Sequence, residues 1–126
     1  MEHVEGRPLA EFLEEGKPPA RLAAQWAAAL AIALADAHAA GIVHGYVNPD
    51  NVIIDANGTI TLRNFSADPA ADRLGPGRWP ARINYLAPER VLGEPATEAA
   101  DVFGFGAVAY AMFTGRDALP ENVGAS

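Results

Sequence analysis

Apolar positions recur along the chain in more than one rhythm, and each rhythm predicts an element. Leu9, Phe12 and Leu13 form a short amphipathic pattern over residues 9–15 that stops at Gly16, so a short helix is expected there. After the Lys17-Pro18-Pro19 break, Leu22, Trp26, Leu30 and Leu34 recur every four positions, with His38 next. This predicts a long helix over residues 20–40, ended by Gly41. The rhythm then shortens. Val52-Ile53-Ile54-Asp55 and Thr59-Ile60-Thr61-Leu62 flank Asn57-Gly58, and two β-branched runs around such a dipeptide predict a hairpin whose turn uses positive φ angles. Residues 66–82 are rich in Pro, Gly, Asp and Arg without periodicity and read as a long exposed loop. Pro88 opens a short helix through Val91-Leu92, closed by Gly93. Residues 98–114 are apolar almost all round, as in a helix buried inside a larger helical body. The expected fold class is α+β, mainly α, with one short β-hairpin.

Composition narrows the function classes. The chain has 126 residues, 50% of them hydrophobic and 20% charged, which fits one globular domain and excludes a disordered tail. Sixteen acidic against nine basic side chains give a net charge of −7, so the overall field opposes nucleic acid and anionic lipid. There is no cysteine, hence no disulfide, thiolate metal site or thiol nucleophile, and a cytoplasmic location is the expectation. The N-terminus lacks the apolar core of an export signal, and charge, Gly or Pro interrupts each apolar run, so no membrane segment is expected within the chain.

Several short motifs then fall in a telling order. MEHVEG, HGYVNPDN, NFS, APE and DVFGFGAVAYAMFTG resemble the hinge strand, the HRDLKPxN loop, the DFG segment, the APE segment and the DxWxxGVxxYEMxTG helix of protein kinases. The resemblance spans nearly the whole chain and is closest to the bacterial Ser/Thr kinases. It implies a kinase-like large (C-terminal) lobe over residues 1–126, running from the hinge through the central helix, without the small lobe or the final helices.

The residues that such chemistry needs are altered. Phosphoryl transfer requires a carboxylate to orient the acceptor hydroxyl, Mg²⁺ held by an Asp and an Asn, and cations around the phosphoryl group. Here the catalytic Asp position is Tyr46, the loop Lys position Asn48, and the metal-binding Asp position Asn64; only Asn51 is retained. A phenol is no base near neutrality, and neutral amides hold a hard dication poorly. The position of the loop arginine that receives a phosphorylated residue is Gly45, and Arg82 stands for the threonine before APE. The resemblance places His44 and Phe65 as a stacked spine pair and Asp101 as the carboxylate that holds the loop backbone. Ile53, Val108 and Met112, with Leu9 nearby, stand at apolar positions beneath the adenine or along the central helix. Glu89 completes APE, and Glu2 and Val4 are the weak nucleotide candidates on the hinge.

The resulting expectation is a catalytically impaired, pseudokinase-type module that binds a protein partner, with no cofactor. Two alternatives remain open. One is an active kinase using ATP and Mg²⁺ through unusual groups such as Asp50 or Asp68. The other is a non-functional fragment whose exposed apolar surface drives self-association. Trp79 among Arg73, Arg78 and Arg82 is a candidate partner contact, against a tryptophan tucked onto its own lobe. Tyr46 is either a plug in the emptied site, a phosphoacceptor or a tolerated aromatic. For His44 packing is preferred to a metal or base role, and His38 is expected to be a helix-end surface or hydrogen-bonding residue.

Overall fold

The computed structural model describes residues 6–65 and 83–116. Its elements are β1 (Gly6–Pro8), α1 (Leu9–Glu14), α2 (Ala20–Ala39), β2 (Val52–Asp55), β3 (Ile60–Leu62), a 3₁₀ turn (Ile83–Tyr85), α3 (Pro88–Val91) and α4 (Glu98–Thr114). The strands form one antiparallel sheet in the order β1-β2-β3. β1 begins at Gly6, the last residue of the MEHVEG segment, and Arg7 and Pro8 carry no alternation that would predict a strand there. It forms through pairing with β2, Gly6 opposite Asp55 and Pro8 opposite Ile53. A side chain at residue 6 would lie 2.8 Å from Ile53 Cγ2, so glycine permits that approach.

The hairpin forms as expected, with a different turn. Only Gly58 takes a positive φ, +82°; Asn57 does not. The Asp55 carboxylate instead holds the turn by accepting from the backbone N–H groups of Asn57 and Thr59, both at 2.9 Å. Within β2, Val52 and Ile54 join the main core, and strand alternation puts buried Ile53 on the opposite face.

In α2 the inner face is Ala23, Trp26, Leu30 and Leu34, while Leu22 is only half-buried. The helix is long and apolar enough to cross a membrane by length and composition. Its inner face packs against β3 and α4, while Ile32 on the outer face is exposed. At its C-terminus Gly41 takes φ +80° and Ile42 N–H donates to Ala37 O at 2.8 Å, closing the last turn.

α4, whose all-round apolarity suits the inside of a larger helical body, is buried on one side. Ala100, Asp101, Gly104, Ala107, Val108, Ala111 and Met112 form one buried stripe, whereas Val102, Phe103, Tyr110 and Phe113 are exposed. Thr97 starts the helix by accepting from Ala100 N–H at 3.2 Å. The stripe faces α2 and the 3₁₀ turn, which leaves the other side of α4 without cover among the described residues.

Candidate functional site

Residues 44–51 run from the end of α2 into β2 and are buried almost throughout. A buried loop must find partners for its backbone polar groups. Asp101, fully buried on the first turn of α4, supplies two of them. Its Oδ2 accepts from His44 N–H and its Oδ1 from Gly45 N–H, each at 2.8 Å. Oδ2 also meets His38 Nε2 at 2.8 Å, and His38 Nδ1 stands 3.9 Å from Glu98. His38 therefore bridges the last turn of α2 to the first turn of α4. The fit is tight further along: a side chain at Gly104 would lie 2.8 Å from Val47 O and 2.9 Å from Val47 Cβ. Only glycine lets α4 lie directly on the loop.

His44 has no exposed surface. Its Nε2 lies 2.8 Å from Arg63 O, and a carbonyl can only accept, so Nε2 carries the proton. Nδ1 is then the acceptor for Tyr46 N–H at 3.1 Å, and the ring is neutral. Burial lowers its pKa below the ordinary histidine value, opposed by the Arg63 carbonyl and the Asp101 charge. The ring packs against Phe65 with centroids 4.7 Å apart at 58°, while Phe65 stays partly exposed.

The side chains of the polar loop turn inward on its own backbone. Asn48 is buried, and its Oδ1 accepts from Asp50 N–H at 2.8 Å and Asn51 N–H at 3.1 Å. It shapes the loop rather than reaching out of it. Asn51 Nδ2 donates to Tyr46 O at 3.0 Å. Because that carbonyl cannot donate, Asn51 must turn its Oδ1 the other way, where Asn64 Nδ2 donates to it at 2.8 Å. Asn64 has a left-handed backbone, φ 62°, a conformation asparagine tolerates better than other side chains. Tyr46 is buried in the core beside Val47.

Kinase chemistry would call for Mg²⁺ at Asn51 and Asn64, and the donor set does not fit that ion. Mg²⁺ prefers anionic oxygen ligands. Asn51 directs its one amide oxygen to a hydrogen bond, and Asn64 directs its N–H to the same place. No group of three or more His, Cys, Asp or Glu is arranged for a metal among the described residues.

Elsewhere, Val108 and Met112 are fully buried in the main core together with Leu9. Glu89 is half-buried on α3, and its carbonyl accepts from Glu94 N–H at 2.9 Å. Arg90, not singled out in the sequence, donates from Nη1 to Glu94 O at 2.6 Å and from Nε to Gly45 O at 3.4 Å. Gly45 has φ +100°, so it turns the loop where a side chain would be strained. His38, expected to be a helix-end surface or hydrogen-bonding residue, is hydrogen-bonded, with a partner that spacing did not reveal, and Asn48 gains its loop-shaping role only in the structure. Glu2, Val4, Asp68, Arg73, Arg78, Trp79 and Arg82 lie outside the described residues.

The description of the protein kinase domain as a family matches residues 1–126. The chain belongs to the protein kinase family. Its relatives include bacterial Ser/Thr kinases. It is 35% identical over 120 residues to the serine/threonine-protein kinase PknA of Mycobacterium tuberculosis strain H37Rv, an alignment covering 92% of this chain and 28% of PknA. Against the serine/threonine-protein kinase PkaA of Streptomyces coelicolor it is 36% identical over 123 residues, covering 92% of this chain and 23% of PkaA. Against the serine/threonine-protein kinase drp72 of Corynebacterium efficiens the figures are 34% over 120 residues, 92% and 23%. This kinase-family chain thus spans about a quarter of the length of the curated relatives it matches.

Proposed function

We propose that the chain is the large-lobe portion of a kinase-like domain and works as a pseudokinase, a binding or scaffolding module that does not transfer phosphate. The observation that carries this reading is the direct 2.8 Å hydrogen bond between Asn51 and Asn64, the two positions where the family resemblance places metal ligands. Tyr46 in place of the catalytic carboxylate, and Asn48 folded into its own loop, point the same way. General acid or base catalysis is worth about 10² to 10⁴ in rate, so its loss together with a poor metal site leaves no turnover at a kinase rate.

On this reading no cofactor is required, and the ligand is a protein, with Trp79 and the neighbouring Arg73, Arg78 and Arg82 as the proposed contact. Net charge −7 argues against nucleic acid, and a cysteine-free chain suits the reducing cytoplasm. The test incubates the purified protein with radiolabelled ATP, Mg²⁺ and a generic acceptor such as myelin basic protein, in parallel with a thermal-shift titration of Mg²⁺-ATP. No label transfer and no rise in melting temperature are expected. Transfer that disappears on Asp50→Asn substitution would instead establish an active kinase with a degenerate site.

A further inference from the structure

Contacts at the site close on themselves. Tyr46 N–H donates to His44 Nδ1; His44 stacks on Phe65; Asn64, the neighbour of Phe65, donates to Asn51; and Asn51 donates back to Tyr46 O. Three hydrogen bonds of 2.8 to 3.1 Å and one ring contact therefore form a circuit through residues 44, 46, 51, 64 and 65. The circuit needs no bound ligand, since every link is made by the chain itself.

We infer that the Asn51–Asn64 amide clasp takes the place of a divalent ion, locking the Phe65–His44 stack in a single arrangement that neither metal nor nucleotide controls. The electrostatics of position 64 support this. Tyr46 O holds Asn51 Oδ1 facing residue 64, so an Asp there would set a carboxylate oxygen against another oxygen lone pair. A divalent cation between the oxygens would relieve that repulsion. An Asn at the same place presents an N–H and satisfies the oxygen directly. The left-handed backbone of Asn64, φ 62°, aims the amide at Asn51 while presenting Phe65 to His44. One neutral side chain thus performs both the tie and the placement. The clasp is a property of the folded chain whether or not phosphoryl transfer survives, and its readout is conformational.

Hydrogen–deuterium exchange of the whole chain, with and without millimolar Mg²⁺, tests it in wild type, Asn64→Gly and Asn64→Asp. Glycine keeps the left-handed backbone but removes the amide. Wild-type exchange over residues 44–51 should be indifferent to Mg²⁺. N64G should exchange about fivefold faster there, the net worth of one hydrogen bond, again without response to Mg²⁺. N64D should exchange faster without Mg²⁺ and recover wild-type protection with it. Peptides from α2 report the accompanying change in global stability. The clasp is refuted if N64G exchanges like wild type over residues 44–51. Mg²⁺ protection of the wild-type loop, or an N64D loop already protected without Mg²⁺, would overturn it equally.

Discussion

Replacing Asp101 tests the main support of the site. Its carboxylate accepts from two buried backbone N–H groups, those of His44 and Gly45, and from His38 Nε2. Asp101→Ala leaves both N–H groups without an acceptor in a place water does not reach, at about 1 to 3 kcal/mol for each orphaned donor. Neighbouring losses do not add fully, so about 3 to 5 kcal/mol is expected, a large share of the roughly 5 to 15 kcal/mol that stabilises a typical domain. Asp101→Asn keeps one acceptor oxygen but turns an NH₂ toward the second donor, and should cost about half as much. Urea unfolding followed by far-ultraviolet circular dichroism gives both values, and exchange at the His44 and Gly45 amides localises the damage. A cycle with His38→Ala separates the histidine link, for which a coupling of about 0.5 to 1.5 kcal/mol is expected. Should D101N lie within about 0.5 kcal/mol of wild type, the Asp101 anchor would be incidental to the loop's conformation.

Gly104→Ala should destabilise by about 1 to 3 kcal/mol in the same assay even though alanine is the better helix former, because its methyl would press on Val47 O. His44 gives a pH signature. Its folded pKa lies below the unfolded value of 6.5, so above that pH both states are neutral and contribute nothing. As pH falls below 6.5 the unfolded chain binds a proton that the folded ring resists, and stability declines until the folded pKa is reached, at up to about 1.4 kcal/mol per pH unit. Urea midpoints should fall more steeply over this range in wild type than in His44→Asn. Asn48→Lys, which restores the residue type of the family motif, should cost about 1 to 2 kcal/mol in urea unfolding, because an ammonium cannot accept from the Asp50 N–H.

The order of local elements was legible in the residues alone, because periodicity and end signals are short-range properties. Trp26, Leu30 and Leu34 mark the inner face of α2, Gly16, Gly41 and Gly93 take positive φ where helices end, and β-branched runs flank the hairpin. The family, too, was legible in its ordered motifs. Tertiary structure decided the rest. β1 exists only through its pairing with β2, and α4 proved buried on one stripe because helix-wide apolarity does not say which side meets a neighbour. The partners of His38, Asn48 and Asn64 were likewise beyond reach of spacing. A histidine 63 positions before Asp101 becomes its partner only when α2 lies beside α4. An amide at position 64 becomes a clasp only when the Tyr46 carbonyl has fixed which way Asn51 faces. Local sequence sets the dihedral preferences and apolar faces of each segment, whereas the partner of a polar group depends on which distant atoms the packed core brings within about 3 Å.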